Sequence, residues 1–184
     1  MAQVGLNNFR YAKLTEAQDG KASYDGAKKP AKAVSFSTSI TNNDAKLFAD
    51  DGLAESDTSF QSGTCTMGID RFDNATQADL LGHTLGEDGE LVKNVNDVAP
   101  YVAVGRVVTL MEDGAYKYRV EFLHKVKFAE PSQDNETKGE NVSFSTISIE
   151  DTISSLANGD WNKTKTFDTK AEAITYLEGL MAKS

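Results

Sequence analysis

Apolar and polar residues alternate along most of this chain, and the longest such run lies between Tyr101 and Phe128. From Tyr116 the even positions read Tyr116, Tyr118, Val120, Phe122, His124, Val126 and Phe128, while the odd ones read Lys117, Arg119, Glu121, Leu123, Lys125 and Lys127. A period of two marks a β-strand with one buried face. Glu112-Asp113-Gly114 supplies a hairpin turn, so the segment reads as one long β-hairpin. The thirteen residues from 116 to 128 would span roughly 44 Å at about 3.4 Å each, more than the core of a 184-residue chain requires. Because a long unpaired edge invites aggregation, the surplus is expected to pair with a neighbouring subunit.

The remaining pattern predicts a mainly β fold with minor α, an antiparallel sandwich or barrel in a single domain over 1–184. Strands are expected at Phe9–Leu14, Val34–Ile40, Thr64–Ile69, Val142–Ile153 and Trp161–Phe167. Glu87-Asp88-Gly89-Glu90 between Leu85 and Leu91-Val92 reads as a small hairpin, and Asn158-Gly159 as another turn. In the Val142–Ile153 run the apolar residues change from even (Val142, Phe144) to odd (Ile147, Ile149, Ile153), which predicts a β-bulge near Ser145-Thr146. The polar stretch at about 42–62 carries only scattered apolar residues and is expected to be a long extended loop. Two helices are predicted. The first is short, Asn74–Leu81, capped by Asp73 or Asn74. The second spans about 170–183, opened by the capping box Thr169-Lys170-Ala171-Glu172 and carrying an apolar stripe of Ala173, Ile174, Leu177, Leu180 and Met181.

A net charge of −9 argues against a protein that grips DNA or an anionic membrane through its overall field. No apolar run approaches the ~18 residues of a membrane span, and the N-terminus lacks a signal-peptide stretch, so no membrane partner is expected. The single cysteine, Cys65, precludes an intrachain disulfide and reads as a small buried hydrophobe. His83 and His124 have no second histidine at metal-ligand spacing, and His124 reads as a hydrogen-bonded core residue. No nucleophile elbow, P-loop or dinucleotide fingerprint is present, so no cofactor, metal or catalytic residue is expected. Acidic pairs such as Asp50-Asp51 and Glu87-Asp88 adjoin turn glycines, which accounts for them without a ligand.

Three pieces of sequence carry a resemblance. The strongest runs from Lys125 to Thr146, with Glu130-Pro131-Ser132, Glu136-Thr137-Lys138-Gly139 and Phe144-Ser145-Thr146 after the basic-aromatic strand end. The others are Tyr11-Ala12-Lys13-Leu14-Thr15 and Leu47-Phe48-Ala49-Asp50-Asp51-Gly52. In this order they resemble the major tail proteins, or tail tube proteins, of long-tailed, non-contractile phages of Gram-positive bacteria. The resemblance implies a phage tail-tube fold of antiparallel strands flanked by a helix. It implies homohexameric rings stacked into a tube around a tape-measure protein, with tail terminator and distal tail proteins at the ends. Double-stranded DNA passes through the lumen without specific binding. The subunit would be made in the host cytoplasm and end in the virion. Candidate contacts between subunits or rings are then Leu47, Phe48, Asp50, Asp51, Gly52, Tyr116, Tyr118, Glu136 and Lys138. The basic residues Lys117, Arg119, Lys125 and Lys127 are expected to be paired or turned from the bore, with Asp and Glu dominating it, since a basic lining would hold the duplex. A monomeric carbohydrate- or ligand-binding β-sandwich is the competing reading, and an acidic hydrolase the enzymatic one.

Overall fold

The computed structural model describes residues 2–17, 21–30, 32–49, 52–131 and 147–183. The strands are β1 (Ala2–Glu16), β2 (Ala22–Tyr24), β3 (Ala33–Asn42), β4 (Ala45–Ala49), β5 (Gly52–Asp57), β6 (Phe60–Ile69), β7 (Thr84–Leu85), β8 (Leu91–Val92), β9 (Tyr101–Glu112), β10 (Ala115–Phe128), β11 (Ile147–Ser154) and β12 (Asn162–Phe167). The helices are α1 (Asn74–Leu81) and α2 (Lys170–Leu180). The fold is mainly β with minor α, as the alternation predicts. One antiparallel sheet runs β2-β1-β9-β10-β11-β6-β3, with β12 as a branch on β10.

The long hairpin β9–β10 is the spine of that sheet, closed by Asp113 (φ 49°) and Gly114 (φ 81°). Both positive φ values suit a tight primed turn, and Asp and Gly are residues that tolerate them. The expected surplus finds its partners within the chain. Strand β1 pairs with β9 from Ala2 opposite Met111 to Lys13 opposite Val102, while β12 and β11 divide the other edge of β10. The hairpin therefore supplies no argument for a neighbouring subunit, which corrects the inference from strand length.

The division falls at a β-bulge. Leu123 faces Val104 but Val126 faces Val102, so residues 124 and 125 oppose the single residue Ala103. An extra residue swaps the faces of everything beyond it. Val120 and Phe122 accordingly pack beneath α2 with Ala103, Val107, Ala173, Leu177 and Met181, whereas Val126 and Phe128 join a second core with Cys65, Met67, Ile69, Ile149 and Ile153. The sheet folds around this second core, and α1 helps to cover it with Leu80 and Leu81. Folding back brings the Phe9 ring of β1 within 5.6 Å of the Phe36 ring of β3. Among the described residues no ladder joins β1 to β3, so the sandwich-like sheet does not close into a barrel.

Both helices begin as predicted. Asp73 caps α1, accepting from Thr76 N–H at 2.8 Å, and Gly82 ends it at φ 79°. Thr169 caps α2 by accepting from Glu172 N–H at 3.3 Å; the Glu172 carboxylate takes the Thr169 hydroxyl rather than its backbone N–H. α2 ends at Leu180, short of the expected 183, because Lys183 forms a parallel bridge with Tyr24. The expected loop at 42–62 is a correction of a different kind. β3 continues to Asn42, β6 begins at Phe60, and between them β4 and β5 pair as a separate two-stranded ribbon. The bulge expected at Ser145-Thr146 lies outside the described residues, although the odd residues Ile149, Asp151 and Ile153 of β11 are buried as that parity requires.

Gly105 sets how closely α2 approaches the sheet. A Cβ there would lie 2.3 Å from Leu177 Cδ1 and 3.3 Å from Phe122 Cδ2. Overpacking of this kind costs about 1–3 kcal/mol, so Gly105→Ala is expected to lower the urea midpoint by that equivalent. Gly5→Ala, with nothing within 4 Å of its added methyl, is the control expected to leave it unchanged.

Candidate functional site

Two surfaces and two charged networks stand out. The first surface is the hairpin tip, where Tyr116 is 53% exposed and Met111 and Val4 lie exposed beside it. Val4, Asn7, Thr109, Tyr116, Tyr118 and Lys170 line an open concavity there. Of the sequence-predicted contacts, Tyr116 and Tyr118 are thus brought together, but Tyr116 does not enter the buried face as its parity suggests. Only Tyr118 packs against the α2 core. Leu47, Phe48 and Gly52 lie in the β4–β5 ribbon. Asp50, Asp51, Glu136 and Lys138 lie outside the described residues.

The second surface is the seam where β3 folds back towards the hairpin. A cleft of about 70 Å³ opens there between Phe36, Thr38 and Ile40 on one side and Val104, Leu123 and Trp161 on the other. Trp161 stacks on Phe60 with ring centroids 4.5 Å apart. Arg106 fastens the seam. Its Nε donates to Glu121 Oε2 at 2.7 Å, its Nη1 to the Phe36 carbonyl at 3.3 Å, and its guanidinium carbon lies 4.1 Å from the Phe36 ring centroid. Arg106 and Glu121 face each other across β9 and β10, so the register itself creates the pair. Arg119 shares the same carboxylate at 2.6 Å. Sequence alternation held a signal for this clasp, namely an arginine in the inward phase between Val104 and Val108.

The basic side chains of β10 have partners among the described residues. Lys117 pairs with Asp168, Lys125 with Glu16 at 2.6 Å, and Lys127 lies 5.4 Å from the Tyr101 ring centroid. Glu16 also accepts the Ala157 N–H at 2.6 Å; the Lys125 bond and this one hold its pKa below the ordinary value. The free edges of the sheet differ in character. β12 carries Lys163 and Lys165, whereas the ten residues of β3 include no charge.

Each histidine has a distinct environment. His83 donates through Nδ1 to Asp97 at 2.8 Å and through Nε2 to Glu130 at 2.9 Å, and Lys93 pairs with the same Glu130. Donation from both nitrogens requires the imidazolium, and the Asp97 bond is the main cause raising its pKa. This network ties the loop after β8 to the end of β10. His124, at the bulge, is half-buried and shares a hydrogen bond with the Tyr24 hydroxyl through Nδ1 at 2.9 Å, with burial lowering its pKa.

Asp151 is the buried charge that sequence reading passed over, although it occupies the inward phase between Ile149 and Ile153. Its Oδ1 accepts from Cys65 N–H at 3.1 Å and from the Cys65 thiol, while Oδ2 is buried without a partner. Burial pushes its pKa up to about 7 against the Cys65 bonds, and burial likewise raises the thiol. Cys65 is 1% exposed and chemically sheltered. Among the described residues no group of His, Cys, Asp and Glu is arranged to hold a metal, and no helix is long and apolar enough to cross a membrane. No family model matches the chain, and no curated protein matches it.

The raised values predict a pH dependence of stability. An Asp151 that keeps its proton to about 7 instead of the ordinary 3.8 contributes fully below 3.8, and that contribution is lost as pH rises through 7. His83, raised above 6.5, contributes fully below 6.5 and loses its effect as pH passes its folded value. Asp151→Asn retains the acceptor for Cys65 N–H and removes the ionisation. Urea unfolding is expected to show this variant level with the parent near about pH 4 and more stable near about pH 8; His83→Gln is expected to cost more at about pH 5.5 than at about pH 8.5.

Proposed function

We propose that the chain is a tail-tube subunit of a long-tailed phage of Gram-positive bacteria, assembling into stacked, hexameric rings through which DNA is delivered. The observation that carries this reading is the β4–β5 ribbon. Among the described residues its ladder partners are each other alone, in a two-stranded sheet separate from the main one. The ribbon prolongs the β3–β6 hairpin, with Asn43 N–H donating to the Ser59 carbonyl at 2.8 Å between them. A two-stranded extension without a third strand is marginal in water, so such a segment gains stability when something outside its own domain receives it. It bears Leu47, Phe48 and Leu53, apolar residues suited to burial on a neighbouring ring.

Lateral assembly has its own support. Among the described residues β3 has no ladder partner beyond β6 and no charged residue. Its Phe36 carbonyl is held by Arg106, but its edge lacks the lysines that blunt β12, so it offers a template for a strand from another copy. A head-to-tail contact between unlike surfaces closes naturally into a ring. The tape-measure protein and the terminator and distal proteins are the further partners of this reading, and the virion tail is its location. The ligand-binding alternative has two footholds among the described residues: the seam cleft, whose about 70 Å³ is small beside the several hundred Å³ of an ordinary ligand pocket, and the concavity of about 340 Å³ at the hairpin tip, which is open to solvent and shallow.

Negative-stain electron microscopy of the concentrated protein is expected to show rings and hollow tubes. Replacing residues 45–57 with a short glycine-containing turn is expected to leave the circular dichroism spectrum and the rings intact while abolishing stacking. Tubes of normal length from that deletion would refute the role of the ribbon.

A further inference from the structure

The folded sheet has two lobes and four faces. One face of each lobe meets the inner core, and the outer face of the β1-β9-β10 lobe lies under α2. Among the described residues nothing covers the fourth face, the outside of β11-β6-β3. The register aligns its residues in rows across the three strands, Glu150 with Thr66 and Ser37, and Thr152 with Thr64 and Ser39. Ser148, Gly68 and Ser35 make a third row, with the Ser35 hydroxyl lying over Gly68. Serine, threonine and one glycine fill these rows, and Glu150 is the one charge among their described residues.

That composition calls for an explanation. Charged residues make up 26% of the chain, and the solvent faces of soluble sheets are commonly studded with Lys and Glu. The lysines that border the field on β10, Lys125 and Lys127, engage Glu16 and the Tyr101 ring. A phosphate passing over the field therefore meets hydrated hydroxyls and one repelling carboxylate, with the ammonium of Lys127 only at its border and held over the Tyr101 ring. The field also ends at the uncharged β3 edge, so a copy docking there continues it sideways. The β4–β5 ribbon leaves the ends of the same strands β3 and β6.

We infer that the hydroxyl face of β11-β6-β3 lines the bore of the tube and is the surface past which duplex DNA moves. The inference rests on the tail-tube reading and revises the expected lining, with hydroxyls taking the place of most carboxylates. It also places α2 on the outer wall, since the helix covers the opposite lobe.

Cysteine accessibility tests it. The native thiol of Cys65 is buried and stays silent, so Ser37→Cys reports the hydroxyl face alone and Thr175→Cys reports the exposed side of α2. Each variant is labelled as free subunits and as assembled tubes, with a small maleimide and with a maleimide carried on a globular protein too wide to enter the bore. Free subunits of both variants are expected to react with both reagents. In tubes, Ser37→Cys is expected to retain labelling by the small reagent and lose it with the bulky one, while Thr175→Cys keeps both. Labelling of Ser37→Cys tubes by the bulky reagent would put the face outside, and loss of both labels would put it in a subunit interface; either result overturns the inference while leaving the tube reading standing. If the unsubstituted protein forms no tubes under any condition, the reading fails first and the inference falls with it.

Discussion

The extra residue at positions 124 and 125 of β10 governs the architecture. Without it, the alternation from Tyr116 to Phe128 would present its even apolar residues, Val120, Phe122, Val126 and Phe128, to one core and leave Leu123 alone on the other face. With it, Val120 and Phe122 serve the α2 core while Val126 and Phe128 serve the core inside the fold. The same point divides the edge of β10 between β12 and β11, and His124 marks the fork by donating its N–H to the Trp161 carbonyl at 3.1 Å. A sheet that must satisfy two cores on opposite sides cannot remain flat, since a bulge strengthens the local twist. The seam between β3 and the hairpin, and the Arg106 clasp across it, follow from that bend.

The seam shows how charge can hold apolar layers in register. Arg106 is mostly buried, and its partners are a carboxylate on the facing strand, a main-chain carbonyl on β3 and an aromatic face. Removing one member of such a buried pair is more costly than the pair's net worth, because the remaining charge is left desolvated. Asp151 reaches the same problem by another route. Among the described residues no cation pairs with it, so burial favours the protonated form and the carboxyl is a polar neutral group below about pH 7.

Most elements were legible because their signals are local. The caps at Asp73 and Thr169, the Asp-Gly turns and the inward stripe of α2 each rest on a few neighbouring residues, and each stands where the pattern places it. The N-terminal half of β1 was not legible. Register shifts at Val4 and at Asn8-Phe9, where Asn8 adopts φ 50°, break the period of two that would have revealed it. The β4–β5 ribbon was missed for a different reason: its Asp-Gly turn signal stands among Ala, Asp and Glu, residues poor in strand propensity. The partners of the hairpin could not be read from its length, since β1 reaches it from the far end of the sequence. Charged residues in an inward phase, Arg106 and Asp151, were the readable but unread signs of the seam and of the buried carboxyl.

The place of β1 beside β9 also fixes a timetable. Ala2 pairs with Met111, so the first strand leaves the ribosome with its partner about a hundred residues behind. At roughly 5–20 residues per second, β1 waits for about 5–20 s before it can be paired. β3 and β6, separated by one short ribbon, can pair within about 1–7 s of each other's synthesis at the same rates. The β3–β6 hairpin, with its edge free of charge, is thus complete while the spine that anchors it is still being made. Non-local pairing of this kind also slows folding of the finished chain. Copies translated side by side from one message would expose completed β3 edges to each other before either had a closed core, so the spacing of ribosomes bears on the chance of non-native pairing between nascent chains.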